Sequence, residues 1–277
     1  MAESDIKFEE PVRILSDLHL AHPGSTVSDV RQLRPLLEGA GTLLFNGDTF
    51  ELRKEALRQR AEECRAELEA LCGELGVDPV FMTGNHDPVI SGHHYFDLCG
   101  GKVFLTHGDI LYEDVSPWSK LIADMREVLD RIRSDYPPDY LNDLELSLKV
   151  AKRIAAETRV RKAIRAGSCR KLRTLLAEAW PPHRPAMILK TWLCSHYRGH
   201  EVRNRFRSKA DFIIYGHTHR ALLHEHEGKH VINTGAFMPL SRAMVVEIKG
   251  GDMIVNEVSR RAGNFRKGRQ RAAWKVA

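Results

Sequence analysis

Five short signatures rich in Asp, Asn and His follow one another along this chain of 277 residues. In order, the signatures are Asp17-Leu18-His19, Gly47-Asp48, Gly84-Asn85-His86-Asp87, His107-Gly108-Asp109 and Gly216-His217-Thr218-His219. Carboxylate, amide and imidazole side chains are all ligands of divalent metal ions. The set is large enough to hold two such ions, which predicts hydrolysis of a phosphate ester or anhydride.

The mixture of oxygen and nitrogen ligands indicates which ions to expect. Such a mixture suits Mn²⁺, Fe²⁺, Co²⁺ or Zn²⁺ better than Mg²⁺, which prefers oxygen, and Mn²⁺ is our first expectation. Two ions about 3.5–4 Å apart can clamp the attacking and the leaving oxygens of an in-line displacement. Because two carboxylates neutralise only part of the charge of the ions, the remaining positive charge attracts a phosphate.

Short apolar runs, five of which precede the signatures, predict strands. The predicted strands are Val12–Leu15, Thr42–Phe45, Pro79–Thr83, Lys102–Thr106, Phe212–Tyr215, His230–Asn233, Met244–Ile248 and Met253–Val255. Loops at the carboxyl ends of strands collect functional residues in α/β folds, and the signatures follow the strands in this way. Residues two apart in an extended segment share a face, so Asp17 and His19 are expected to reach one ion, and His217 and His219 likewise.

A charged helix with an apolar stripe is predicted for Arg53–Leu75. Cys64 and Cys72 lie on this stripe and are expected to face the core. The chain has five cysteines without a Cys-x-x-Cys pair, so the sequence predicts neither a disulfide framework nor a thiolate zinc site.

Residues 116–200 have a helical pattern with no strand candidate, and Lys and Arg are dense between 149 and 173. We expect this segment to be a helical cap inserted into a core made of residues 1–115 and 201–258. Residues 259–277 form a basic, weakly periodic C-terminal tail, which predicts disorder.

The order of the signatures resembles that of the calcineurin-like metallophosphoesterases over residues 11–115 and 210–240. The resemblance implies an α/β (α+β four-layer) fold, in which two mixed β-sheets are sandwiched between helices and hold a dinuclear site at one edge. It also implies that one ion is held by Asp17, His19, Asp48 and His219. The other ion is then held by Asp48, Asn85, His107 and His217, with Asp48 bridging. His86 would stabilise the transition state or protonate the leaving oxygen, and Asp87 would orient His86.

Within this superfamily, the chain resembles the UDP-2,3-diacylglucosamine pyrophosphatases of lipid A synthesis. The similar motifs are Ser16-Asp17-Leu18-His19-Leu20, Asn46-Gly47-Asp48-Thr49-Phe50-Glu51 and His107-Gly108-Asp109-Ile110-Leu111. The resemblance implies a phosphorylated lipid-nucleotide substrate, cleaved to UMP and a lipid monophosphate, and a cap that binds acyl chains and phosphate. The expected apolar contacts are Trp118, Leu121, Ile122 and Trp192. The expected phosphate contacts are Arg198, Arg203, Arg205 and Arg207.

His86 departs from that branch, whose enzymes carry Arg at this position, so other substrates stay open. A nuclease or cyclic-nucleotide phosphodiesterase would use the same metals, with basic helices binding the sugar–phosphate backbone. A phosphoprotein phosphatase is a further alternative. A non-catalytic scaffold is the last alternative, and the complete ligand set argues against it.

Net charge and targeting signals indicate which partners and which cellular location to expect. A net charge of +5 suits phosphorylated substrates, nucleic acid or an anionic membrane surface without choosing among them. The sequence has no signal-peptide pattern and no apolar run long enough to span a bilayer. We therefore expect a cytoplasmic protein, whose contact with the inner membrane face would be peripheral, through the basic cap or tail.

Overall fold

Two mixed β-sheets pack face to face in the computed structural model, which describes residues 6–119, 126–158 and 183–276. The strands in these ranges are β1 (Val12–Leu15), β2 (Thr42–Asn46), β3 (Pro79–Met82), β4 (Tyr95–Leu98), β5 (Val103–Thr106), β6 (Phe212–Tyr215), β7 (Leu222–His226), β8 (Lys229–Asn233), β9 (Met244–Lys249), β10 (Asp252–Arg261) and β11 (Asn264–Lys275). The helices are α1 (Arg34–Leu37), α2 (Arg58–Glu74), α3 (Arg126–Ser134), α4 (Leu144–Glu157) and α5 (His183–Phe206).

The two sheets have similar parallel centres. One sheet has six strands in the order β11-β10-β9-β1-β2-β3, in which β1, β2 and β3 run parallel. The other has five strands in the order β4-β5-β6-β8-β7, in which β5, β6 and β8 run parallel. Parallel strands point their carboxyl ends to one edge, and this edge is where the signatures begin.

The fold has four layers, namely helices, the two sheets and further helices, and apolar residues fill the three interfaces between them. Side chains of both sheets meet between them, among them Ile14, Leu44 and Ile214. Helices α1 and α2 cover the outer face of the six-stranded sheet. Helices α4 and α5 cover the outer face of the five-stranded sheet. Strands covered on both faces read as continuous apolar runs, which is why the central strands could be predicted. The predicted four-layer α/β fold is confirmed.

Helix α2 begins at Arg58, after a 3₁₀ turn at Glu55–Leu57, and not at Arg53 as predicted. Cys64 and Cys72 are buried in the core, as predicted, and both carry free thiols. Among the described helices, none combines the length and the apolar character needed to cross a bilayer.

The predicted disorder of the C-terminal tail is wrong, because the tail forms strand β11 at the edge of the six-stranded sheet. A two-residue turn at Ala262 and Gly263 joins β10 to β11, and both residues have positive φ, as tight hairpin turns require. Phe265 is buried in the core, and Trp274 packs against the apolar layer between the sheets. Most of the remaining side chains of β11 are exposed, so the strand lacks the apolar pattern that reveals buried strands.

The described part of the cap is helical, as predicted. Leu129 and Ile132 of α3 pack against Val150 and Ile154 of α4. The predicted apolar residues Leu121 and Ile122, and the basic residues from 159 to 173, lie outside the described residues. Helix α5 continues through residue 200 to Phe206, so the predicted boundary of the cap falls inside a helix. The division into core, cap and tail stays a prediction.

A buried arginine ties β1 to its neighbours. The Arg13 side chain is 2% exposed and forms an ion pair with Glu247, its register partner on β9. Its Nη1 also donates to the backbone carbonyls of Leu36 and Glu38 at the end of α1. One cation therefore satisfies a carboxylate and two carbonyls that face away from solvent.

Replacing this cation tests how far the contact stabilises the fold. We expect Arg13→Met to lower the free energy of unfolding by about 3 kcal/mol, because it leaves two carbonyls without their donor and leaves the partly buried Glu247 carboxylate with Lys267 as its remaining cation. Chemical denaturation measures this change. Arg65→Met, which removes an exposed pair with Glu69 on α2, is expected to change it by less than about 0.5 kcal/mol. Equal effects of the two substitutions would contradict the assignment.

Candidate dinuclear metal centre

The five signature loops meet where the carboxyl ends of the two sheets adjoin. The Asn46 side chain, at the end of β2, donates to the backbone oxygen of Thr106 at the end of β5. The backbone N–H of Asp17 donates to the oxygen of Gly47, and the N–H of Gly216 donates to the oxygen of His107. These hydrogen bonds join loops of different strands and bring the candidate ligands to one place.

Five of the candidate ligands have a left-handed backbone. The φ angles are 52° at Asp17, 47° at His19, 51° at Asp48, 63° at His217 and 58° at His219. Non-glycine residues rarely adopt this conformation, and its clustering is typical of functional sites. The prediction that each pair shares the face of an extended segment is therefore wrong. Asp17 and His19 still converge on one group of ligand atoms, but His219 joins that group and His217 joins a different one.

Two glycines allow the loops to approach the carboxylates closely. A Cβ atom on Gly84 would lie 2.2 Å from Oδ1 of Asp48, and one on Gly216 would lie 1.9 Å from Oδ2 of Asp17. Both separations are far below van der Waals contact. Only glycine fits at either position while the carboxylates keep their places.

The first group of converging side chains contains Asp17, His19, Asp48 and His219, whose ligand atoms lie within 4.8 Å of one another. Nε2 of His19 is 3.0 Å from Nε2 of His219 and 3.8 Å from carboxylate oxygens of both Asp17 and Asp48. Nε2 of His219 is 3.3 Å from Oδ1 of Asp17. These are the four residues assigned to one ion by the resemblance.

The second group contains Asp48, His107 and His217, also within 4.8 Å of one another. Nε2 of His107 lies 3.4 Å from Oδ2 of Asp48 and 3.4 Å from Oδ1 of Asn85. Asn85, the fourth expected ligand, therefore lies beside this group. Asp48 belongs to both groups, as a bridging carboxylate must.

The orientation of the imidazoles fits a cation. His217 donates from Nε2 to the carbonyl of Val115, which leaves its buried Nδ1 without a hydrogen-bond partner among the described residues. His107 donates from Nδ1 to the carbonyl of Asn46, so its Nε2 is the nitrogen that faces Asp48. A backbone carbonyl on the far nitrogen is a common support for a metal-binding histidine.

The electrostatics of the site call for positive charge. Burial alone would raise the pKa of Asp17, but hydrogen bonds from His19 and His219 hold that pKa well below its usual value. Burial would likewise raise the pKa of Asp48, but the nearby charges of His107 and His86 lower it. Burial lowers the pKa of His107, yet the Asp48 carboxylate outweighs this and raises it to about 10. A divalent ion therefore competes with the proton on His107, and metal binding must release that proton.

Asp87 does not orient His86, contrary to the prediction. Its two carboxylate oxygens accept hydrogen bonds from four backbone N–H groups, those of Asp48, Thr49, Phe50 and Gly84. Burial and the nearby Asp48 charge raise the pKa of Asp87 to about 6. The residue therefore joins the second and third signature loops to each other. It was misassigned because it is the neighbour of His86 in the sequence.

The carboxylate that contacts His86 is Glu51, at the end of the second signature. Nδ1 of His86 lies 3.0 Å from both carboxylate oxygens of Glu51. Burial would raise the pKa of Glu51, but the charge and hydrogen bond of His86 lower it. His19, Glu51 and His86 also form a third group of atoms within 4.8 Å, next to the first. Sequence analysis placed Glu51 in a motif without giving it a role.

Two charged contacts join the cap to the site, and sequence analysis missed both. Nζ of Lys152, on α4, is 2.5 Å from Oδ2 of Asp109 and 3.0 Å from the carbonyl of Thr83, and both charged side chains are buried. Nη2 of Arg53 donates to Oγ1 of Thr158, just after α4. A small cavity between cap and site is lined in part by Arg53 and Asn85.

Only some of the predicted substrate contacts lie near the candidate metal ligands. The Trp118 ring lies 5.2 Å from that of His217, and Nε1 of Trp192 donates to the carbonyl of Thr218. Arg203 is instead buried at the end of α5, where it donates to the carbonyls of Ser208 and Ala210, so its assignment as a phosphate contact is wrong. The other predicted arginines form surface ion pairs, Arg198 and Arg205 with Glu201, and Arg207 with Asp97.

Comparison with known families agrees with this geometry. The sequence profile of the calcineurin-like phosphoesterases matches residues 10–221. The chain belongs to the calcineurin-like phosphoesterase family. As a member of this family, it is a metal-dependent phosphoesterase with a dinuclear site for divalent ions.

Curated relatives of this phosphoesterase have a common name. The UDP-2,3-diacylglucosamine hydrolase of Stenotrophomonas maltophilia is 28% identical over 228 residues, which cover 76% of this chain and 82% of the relative. The enzyme of that name from Xanthomonas axonopodis pv. citri is 26% identical, over an alignment that covers 76% of this chain and 83% of the relative. Among solved structures, a dimetal phosphatase from Danio rerio is similar with a TM-score of 0.46 and 11% identity, covering 97% of this chain and 100% of that chain.

The shared position of Asp48 predicts that its loss removes metal. We expect Asp48→Asn to fold, since Asn keeps the oxygen that accepts from the N–H of His86. Metal affinity should fall by about 100-fold or more, because the ions lose their common anionic ligand. Mass spectrometric metal counting and hydrolysis of a generic phosphodiester measure the two effects. Asp97→Asn, at an exposed carboxylate on β4, is the matched control. Full activity of Asp48→Asn would refute the bridging role.

Glu51 and Asp87 make different contacts, so removing the charge of each should have a different effect. The first substitution should affect catalysis, and the second should affect stability. Glu51→Gln should lower kcat by about 10–100-fold with the metal content unchanged, because His86 loses its anionic partner. Asp87→Asn should lower the free energy of unfolding by about 2–3 kcal/mol, because its amide N–H₂ faces two backbone donors. Steady-state kinetics, metal counting and denaturation separate the two. Metal loss in Glu51→Gln would make Glu51 a ligand of the third group instead.

Proposed function

We propose that this phosphoesterase hydrolyses the pyrophosphate bond of UDP-2,3-diacylglucosamine, or of a closely similar lipid-linked nucleotide, to UMP and a lipid monophosphate. The observation that carries the hydrolytic part is the pair of ligand groups that share Asp48. The substrate is supported by the relatives of that name, which align with more than four-fifths of their own length.

The residues of the site suit such a hydrolysis. Two divalent ions, bound by the two groups, would supply Lewis acidity toward the phosphoryl oxygens and activate the attacking water. Asp17 and Asp48 would hold the ions and would leave surplus positive charge for the pyrophosphate. The left-handed backbones at five candidate ligands fix these side chains before the substrate arrives, which lowers the reorganisation required for the reaction.

His86 is the group best suited to hold or move a proton. Its Nδ1 is occupied by Glu51, which fixes the ring and leaves Nε2 to donate to a phosphoryl or leaving oxygen. Its ring centroid lies 4.8 Å from that of His19, next to the first group. Imidazole takes the place that arginine has in the resembling branch.

The cap supports binding of an amphipathic substrate. The Lys152–Asp109 pair and the contact of Arg53 with Thr158 hold α4 beside the metal loops. Trp118 lies beside His217, and exposed Leu189, Leu193 and Tyr197 follow one another at helical spacing on α5. An apolar face on the helix that also carries Trp192 to the fifth signature suits a molecule that has both acyl chains and a pyrophosphate.

Product analysis tests the substrate. We expect the Mn²⁺-loaded protein to release UMP and the lipid monophosphate from UDP-2,3-diacylglucosamine, as detected by mass spectrometry. A generic phosphodiester is assayed beside it, and purified Asp48→Asn controls for contaminating hydrolases. Cleavage of the generic diester alone would keep the two-metal hydrolase and reject the lipid substrate. Cleavage of neither compound by the metal-loaded protein would reject the whole proposal.

A further inference from the structure

Four histidines outside the phosphoesterase centre face one another across α5 and β7. His196 and His200 are four residues apart on the helix, a spacing that places both side chains on one face. His224 and His226 are two residues apart on the strand and share one face of the sheet. None of the four belongs to the family signatures.

The distances between the rings show that the two pairs meet. Nε2 of His200 lies 3.1 Å from Nδ1 of His224. The ring centroid of His196 is 4.2 Å from that of His224, and the centroid of His226 is 5.9 Å from that of His200. Two imidazole nitrogens that bind one tetrahedral zinc ion lie about 3.3 Å apart, given zinc–nitrogen bonds of about 2.0–2.1 Å. The closest pair in the cluster already has nearly this separation.

The two helix histidines are also in the protonation state that metal binding requires. Burial, followed by the neighbouring charges of His224 and Arg203, lowers the pKa of His200 to about 4. Burial and His224 also lower the pKa of His196. Both imidazoles are therefore neutral at pH 7, with lone pairs available for coordination.

We propose that His196, His200, His224 and His226 form a separate site for a divalent transition-metal ion of the zinc class. His200 and His224, which now share a hydrogen bond, supply two of the ligands when the ion replaces that bond, and all four rings turn toward the ion by rotation about their side-chain torsions. A set made only of imidazoles selects Zn²⁺, Cu²⁺ or Ni²⁺ over Mn²⁺ and Mg²⁺. This proposal does not depend on the substrate proposed above.

An ion at this place would fasten α5 to the edge strand β7. Helix α5 also contacts the fifth signature, since Nε1 of Trp192 donates to the carbonyl of Thr218, between His217 and His219. Trp192 lies one helical turn before His196. Fixing the helix at the histidine cluster thus restrains a helix that supports the phosphoesterase loop.

Zinc counting tests the site. The full-length protein is dialysed against Zn²⁺ at pH 7.5 and its bound zinc is measured by mass spectrometry. We expect His200→Gln/His224→Gln to bind one zinc ion per chain fewer than the wild type. The same double substitution in an Asp48→Asn background should again remove one ion, since the cluster is independent of the phosphoesterase centre. Zinc should also raise the unfolding temperature of Asp48→Asn more than that of the triple variant.

His230→Gln is the matched control, because it removes one imidazole from the neighbouring strand. His230 pairs in register with Glu225 and stacks on Phe212, so it lies on the sheet face opposite His224. It should keep the full zinc count. If the double variant does not fold, His226→Gln at the exposed edge replaces it, with an expected loss of zinc affinity of about tenfold or more. Unchanged zinc binding in the cluster variants, or an equal loss in His230→Gln, would overturn the proposal.

Discussion

The buried carboxylate of Asp48 is the interaction on which the rest of this structure depends. It is 1% exposed and lies where loops from both sheets converge. A buried charge is costly unless it is neutralised, so this junction is stable only with positive charge nearby. The proton that Asp48 holds on His107 provides such charge, and divalent ions bound by the same atoms provide more. The electrostatic requirement of the fold and the metal affinity of the site thus have one origin.

Backbone strain at the ligands follows from the same constraint. Aiming side chains from separate loops at one point requires left-handed conformations at residues such as Asp17, Asp48 and His217, each of which is unfavourable by itself. The sheets compensate for this strain, because their parallel centres fix the strand ends from which the loops leave. Asp87 adds to this effect by accepting four backbone N–H groups from two loops. The family fold and its metal site are therefore stabilised together.

The sequence was informative where chemistry or burial leaves a local pattern. The central strands are covered on both faces and have apolar runs, and the ligand motifs follow them at fixed short distances. Strand β11 was missed because an edge strand with exposed basic side chains resembles a tail. The partner of His86 was missed for a different reason. Glu51 reaches it across 35 positions in the chain, whereas Asp87 is its neighbour in sequence but turns to the backbone. Arg203 was misassigned because the sequence does not reveal that its side chain is buried against the backbone carbonyls of the segment after α5.

The attachment of the cap bears on how substrate and metals are brought together. Lys152 on α4 reaches Asp109, two residues after His107, and also the carbonyl of Thr83, just before the third signature. Its ammonium group is thus in contact with two metal-site loops at once. A buried ion pair with an added carbonyl is sensitive to geometry, because displacing α4 would leave both charges without compensation. The described part of the cap is therefore held in a fixed position relative to the loops that carry the candidate metal ligands.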